Sequence, residues 1–201
     1  MLLAFIDTET TGLDPDQHEV IEVAIILVQD GKTLHTLHRK IKPQHLELAD
    51  KKALEINGYA ANPEAWALAL PMREVGPDIV SLLQGAVLVG HNVGFDEVFL
   101  RQNLARAGVK GKVPFHKIDT VTLAFEHLHP LGLKRVALDS IRDFLGWTKE
   151  GAHTALKDTE DTKKLFDLLW RMTFFRKQAL RFKLWKLRTI TRLLTKVKGG
   201  V

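Results

Sequence analysis

Two carboxylates stand two residues apart at the end of an apolar run, where Leu2-Leu3-Ala4-Phe5-Ile6 leads into Asp7-Thr8-Glu9. Alternate side chains of a strand share a face, so Asp7 and Glu9 project together and Thr8 turns away. Two such groups repel unless a proton or a cation sits between them. All-oxygen ligands suit a hard cation such as Mg²⁺ or Mn²⁺. Thr10-Thr11-Gly12 then turns the chain, with a glycine where backbone can approach a ligand. Three further candidates lie far downstream. Asp96 follows Gly90-His91-Asn92-Val93-Gly94-Phe95, in the first turn of an expected helix. His153 and Asp158 lie in His153-Thr154-Ala155-Leu156-Lys157-Asp158. That spacing is not one helix face; it fits a loop histidine followed by a carboxylate in a helix's first turns. Each has a plain reading alone: a helix-start acid favoured by the dipole, a surface histidine, a solvated helix acid like Glu160 or Asp161. Together they are four carboxylates and a histidine at strand ends and helix starts, where α/β folds build sites. Such a cluster would bind two divalent cations about 3.5–4 Å apart, the arrangement used in phosphoryl displacement. A neutral histidine would then accept a proton from the attacking water.

The elements that must position these groups follow from hydrophobic patterning. Leu2–Ile6 reads as a buried strand and Val20–Gln29 as a second. Asp30-Gly31 signals a hairpin, and Thr33–Ile41 returns as a third strand. Residues 47–57 read as helical and 58–71 as an irregular connection. A helix over Arg73–Gln84, a short strand over Ala86–Val89, and a helix from about Gly94 to Ala107 follow. Phe115–Ile118 is the fifth strand, with Asp119 as the cap of a helix over 120–128. Helices are expected over Leu138–Leu145 and from near Thr154. A three-stranded antiparallel meander followed by strands alternating with helices implies a mixed five-stranded α/β sheet flanked by helices.

The chain has 201 residues and no cysteine, which excludes disulfides, thiolate metal sites and a cysteine nucleophile. No apolar run approaches the roughly 18 residues of a membrane span. The first residues do not read as a secretory leader, and the cytoplasm is the expected compartment. The net charge of +5 hides an asymmetry. Ten of the 29 basic residues lie from Arg171 onward, and all 24 acidic ones lie at or before Asp167. An acidic body (1–172) with a basic tail (173–201) suggests two tasks, the tail meeting a polyanion or an acidic surface.

Asp7-Thr8-Glu9-Thr10-Thr11-Gly12 resembles the first motif of the DEDDh 3′–5′ exonucleases. His91-Asn92-Val93-Gly94-Phe95-Asp96 resembles their second. His153-Thr154-Ala155-Leu156-Lys157-Asp158, with Thr162 four residues on, resembles their third. Three motifs in the right order cover about residues 1–170. The family includes the proofreading subunit of the bacterial replicative polymerase and several RNA-trimming enzymes. The resemblance implies a ribonuclease-H-like fold and hydrolysis of nucleotides from the 3′ end of DNA or RNA. It implies Asp7, Glu9, Asp96 and Asp158 as ligands of two Mg²⁺ or Mn²⁺ ions, with His153 as general base. A sister branch carries a tyrosine in place of the histidine, and the one tyrosine here, Tyr59, lies in an unrelated loop. Thr10, Gly12 and Leu13 would meet the terminal nucleotide. His91, Asn92 and Phe95 would shape the pocket, though core packing accounts equally well for Phe95. The competing function is a catalytically silent nucleic-acid-binding adaptor, against which the intact set of five stands. A proofreading subunit acting mainly within a polymerase complex is the other alternative, and a membrane-surface or scaffold protein that uses mainly the tail is a third possibility.

The tail lies outside the resemblance. Leu180, Leu184, Leu187, Leu194 and Val197 recur at helical spacing with basic residues on the other side, an amphipathic helix. Arg181, Lys183, Trp185, Lys186, Arg188 and Arg192 are its expected nucleic-acid contacts. A helix packed on the body, a replication or repair protein as partner, and an anionic membrane surface are the alternatives.

Overall fold

The structure is a computed structural model that describes residues 1–170 and 172–198; in the last helix, the side chains of Phe174, Arg188 and residues 190–198 lie outside the described set. Five strands form one sheet: β1 (Leu2–Thr10), β2 (Val20–Gln29), β3 (Lys32–Lys40), β4 (Val87–Gly90) and β5 (Lys117–Asp119), in the order β3-β2-β1-β4-β5. β1 pairs antiparallel with β2 and parallel with β4; β2–β3 is antiparallel and β4–β5 parallel. This is the mixed sheet expected from the sequence, with β1 extended by its motif through Thr10. Asp30 and Gly31, both at positive φ, make the tight β2–β3 turn.

The chain forms two compact units. The first comprises residues 1–120 with 151–164. It holds the sheet, α1 (Lys51–Ile56), α2 (Met72–Leu83), α3 (Val93–Arg106) and the first turns of α6 (Ala155–Leu169). Ala4 and Ile6 of β1, Val23 and Ile25 of β2, Ile79 and Leu83 of α2, Leu88 of β4, and Phe99 and Leu100 of α3 form its core. The helix expected over 47–57 divides into a single 3₁₀ turn at Leu46–Leu48 and α1. Between them Asp50 leaves helical geometry, donates its N–H to the Thr11 carbonyl at 2.7 Å, and caps α1 through Lys52 N–H. The helix stops there because the chain ties itself to the turn after β1.

The second unit comprises residues 121–150 and those from Leu165 on. Its core gathers Ala124 and Leu128 of α4 (Thr120–Leu128), Ile141 and Leu145 of α5 (Leu138–Leu145), Leu165 and Leu169 of α6, and Leu180 and Leu184 of α7 (Phe174–Lys198). Leu180 and Leu184 of the aliphatic stripe of α7 are therefore packed; the side chains of Leu194 and Val197 lie outside the described residues. Arg142 is fully buried in this unit and pairs with Asp139 at 2.8 Å. Among the described residues no helix is long and apolar enough to cross a membrane.

Candidate active site

β1 presents Asp7 and Glu9 on one face, both partly buried, as strand alternation requires. One oxygen from each, together with one from Asp158 of α6, lie within 4.8 Å of one another. Asp96, four residues into α3, is 3% exposed. Its Oδ1 accepts both the backbone N–H and the hydroxyl of Thr8, each at 2.8 Å. Thr8 is thus the pin that fastens α3 to β1, although strand alternation identifies it only as the residue facing away. The fourth acid arrives beside the other three rather than among their converging oxygens, and its charge raises the proton affinity of Asp7.

The third motif enters from the other side of β1. α6 begins at Ala155, whose N–H donates to Glu22 Oε1 at 3.2 Å. Glu22 lies directly opposite Glu9 in the β1–β2 register, is 1% exposed, and also pairs with His38 at 2.8 Å and Lys40 at 3.1 Å. Burial alone would push the Glu22 carboxyl up; His38 and Lys40 outweigh it, and Glu22 stays below the ordinary carboxylate range. Thr159 one turn on bonds the Ala155 carbonyl at 2.7 Å. Glu22 therefore moors the start of α6, and with it Asp158, to the sheet. The sequence signal for it is an acid inside the apolar run Val20–Val28. Asp161 is not a solvated acid: it is 2% exposed and paired with Lys157 at 2.7 Å.

His153 precedes α6 at φ +63, a left-handed conformation, and its backbone N–H donates to Asp158 Oδ1 at 3.2 Å. Its imidazole is not one of the groups whose ligand atoms converge. Asn92, exposed at the start of α3, also has positive φ (+68), and its N–H donates to Asp119 Oδ1 at 3.0 Å. Strained non-glycine backbone at two of the three motifs is the kind of strain that functional sites hold. His91 Nδ1 lies 2.9 Å from the Thr120 hydroxyl. Phe95 packs on Phe99 with ring centroids 4.4 Å apart.

The turn after β1 is tightly built. Thr10 is buried and donates its hydroxyl to the Gly12 carbonyl at 2.7 Å; Asn57 Nδ2 donates to the Thr10 carbonyl at 3.0 Å. A Cβ on Gly12 would meet the His18 imidazole at 2.5 Å, so the glycine makes room for His18. Leu13 beyond it is 78% exposed. Tyr59 packs on Trp66. Of the tail residues singled out, Arg181, Lys183, Trp185 and Lys186 are exposed on α7. The side chains of Arg188 and Arg192 lie outside the described residues.

The acids are electrostatically frustrated. Burial pushes Asp7 well up, and the charges of Asp96, Asp158, Glu9 and Glu22 push it further. Glu9 is pushed up to about 8 by burial and then by Asp158, Glu22 and Asp96, with Lys40 opposing. Asp96 is pushed up to about 7 by burial, against the Thr8 bonds that favour its charge. A cluster of this kind takes up protons or a cation, and three converging carboxylates have the type and closeness to hold a hard divalent ion. The folded chain keeps the Glu9 proton to about pH 8, whereas a free glutamate loses it near 4.5. The Glu9 contribution to metal-free stability is therefore fully present below that lower value and is lost as pH rises through the window to about 8. A bound cation replaces the protons, so the rise in melting temperature on adding Mg²⁺ or Mn²⁺ is expected to grow across the same window. It should reach roughly 5–10 °C at saturating metal. Thermal melts with EDTA and with metal from pH 5 to 8 measure both.

Residues 4–166 match the exonuclease family model RNase_T. The chain belongs to the DEDD-type 3′–5′ exonuclease family. Within that family, it is 31% identical over 179 residues to ribonuclease T of Buchnera aphidicola, covering 80% of each chain. It is 33% identical over 162 residues to the PolC-type DNA polymerase III of Thermotoga petrophila, covering 80% of this chain and 11% of the polymerase. The family fold is equally clear in a solved structure of Escherichia coli exonuclease I in complex with a dT13 oligonucleotide. The TM-score is 0.69 at 21% identity, over 89% of this chain and 45% of that one. The exonuclease-family chain thus spans about a tenth of the polymerase relatives and under half of exonuclease I.

Proposed function

We propose that the chain is a metal-dependent 3′–5′ exonuclease that removes nucleotides from single-stranded DNA or RNA ends. The observation that carries this reading is the convergence of Asp7, Glu9 and Asp158, with Asp96 pinned beside them, in a chain of the exonuclease family. Asp7, Glu9, Asp96 and Asp158 would hold a pair of Mg²⁺ or Mn²⁺ ions. Bound there, the ions supply Lewis acidity at the phosphodiester and lower the pKa of water. His153 takes the proton of the attacking water at a ring nitrogen. Its position one turn before Asp158, joined to it through the backbone, supports that role. Thr10, Gly12 and the exposed Leu13 receive the terminal nucleotide on a turn held rigid by Asn57, Asp50 and His18. His91, Asn92 and Phe95 bound the pocket on the α3 side. Residues 1–172 form the exonuclease body and residues 173–201 an accessory basic element.

The PolC-type relatives favour a second setting, in which the chain works beside a DNA polymerase. The cytoplasm is the proposed compartment in either case. Incubation with 3′- and 5′-labelled DNA and RNA, single- and double-stranded, with and without Mg²⁺, tests the reading. Metal-dependent release of mononucleotides from the 3′ end is expected. Endonucleolytic cuts, release from the 5′ end, or turnover in EDTA would overturn it.

A further inference from the structure

α7 carries apolar side chains on two opposite faces. Leu180 and Leu184 are 7% and 3% exposed and face the core of the second unit. Phe175, Phe182 and Trp185 are 82%, 57% and 60% exposed. At 3.6 residues per turn, Phe175 and Phe182 share one outer stripe seven residues apart, with Trp185 on its flank. Phe182 and Trp185 stack, with ring centroids 5.9 Å apart and planes 24° apart. Lys186 Nζ lies over the Phe182 ring at 4.7 Å. Trp185 and Arg181 also line a recess of about 200 Å³ with Pro130, Leu131 and Leu184. Immediately before that recess in the chain, half-exposed Phe125 stacks on His129 at 4.9 Å. No acidic residue occurs after Asp167.

An ordinary amphipathic helix keeps its outer face polar. Here the outer face alternates exposed rings with cations, and no residue of opposite charge on the segment neutralises it. Cationic surfaces with aromatic platforms are how proteins hold single-stranded nucleic acid without reading its sequence. A membrane-seeking helix instead needs a continuous apolar face to insert. Leu180 and Leu184 are turned into the core, and Lys186 and Gln178 interrupt the outer stripe.

We propose that the outer face of α7, centred on Phe182, Trp185, Arg181, Lys183 and Lys186, is a second binding surface for single-stranded nucleic acid. Bases stack on the two rings and the cations meet the phosphates. Nucleic acid as the occupant rests on the nuclease reading, but the surface operates without turnover.

The test measures binding of fluorescein-labelled oligothymidylate to the full chain in EDTA, by anisotropy across a salt series. Phe182→Leu and Trp185→Leu keep an apolar, helix-compatible side chain and remove the ring. Each is expected to weaken binding about tenfold. The Trp185-dependent part of the emission, taken as the difference from the Trp185→Leu variant, is expected to be quenched by the oligonucleotide. Circular dichroism shows whether these variants fold. If they do not, Lys183→Gln with Lys186→Gln decides, because losing two phosphate contacts should lower the salt slope by about 1.4. Ring variants that bind like the parent, or an unchanged slope in the lysine pair, would overturn the proposal. So would tighter association with phosphatidylserine–phosphatidylcholine vesicles than with the oligonucleotide. Hydrolysis of thymidine 5′-p-nitrophenyl phosphate by the parent chain with Mg²⁺ reports on the acidic site alone, so the two readings fail separately.

Discussion

Asp7→Asn is expected to lower nucleotide release by about 10³-fold or more, because a lost ligand forfeits several kcal/mol of charge stabilisation at the phosphate. The substitution is nearly isosteric, so packing around β1 is preserved. Its second effect has the opposite sign. Asp7 is crowded by like charge, facing Asp96, Asp158, Glu9 and Glu22. Removing its charge relieves that repulsion, and the metal-free protein should melt at a higher temperature than the parent at pH 8. The gain on adding Mg²⁺ should shrink at the same time. Lost turnover, raised metal-free stability and a blunted metal response form one signature. A residue that merely supports the fold would lower stability along with activity. An Asp7→Asn protein that turned over normally would refute the site.

His153→Ala is expected to reduce turnover by about 10²–10⁴-fold, the usual contribution of a positioned proton acceptor. The metal-induced rise in melting temperature should survive, since alanine retains the backbone N–H that donates to Asp158. The backbone adds a complication that can be separated. At φ +63, alanine gains nothing from the strained conformation, whereas asparagine tolerates it well and has no basic ring nitrogen. His153→Asn should therefore match the alanine variant in turnover and exceed it in stability. If both variants kept near-parental rates with a normal metal response, the proton would have to leave by another route.

Much of this was legible because the informative patterns are local. Asp7 and Glu9 share a face through the two-residue period of a strand, and that period holds wherever the strand is placed. The hairpin at Asp30-Gly31 and the starts of α3 and α6 are likewise set by neighbours in the chain. What escaped is set by partners far away. Thr8 reaches Asp96 across 88 positions, and Glu22 reaches Ala155 across 133. No periodicity marks such pairs, so Thr8 reads as a residue pointing away and Glu22 as an anomaly in an apolar strand. Asp161 reads as solvated because helix spacing says nothing of what covers a face. Gly12 reads as room for a ligand because His18 folds back onto it only in the closed turn. In the tail, the leucine stripe is visible, but the burial of Leu180 and Leu184 among residues of α4, α5 and α6 is not.

The place of β1 in the sheet has a consequence for how activity would be lost. It is third of five strands, paired along its whole length with β2 and also with β4. Its amides that face β2 can exchange with solvent only when that pairing opens. The His153 segment is a turn outside the sheet, and it opens at smaller cost than the sheet does. Under mild denaturant, His153 should drift out of register while the acids on β1 still stand in formation. The enzyme would go silent before it unfolds.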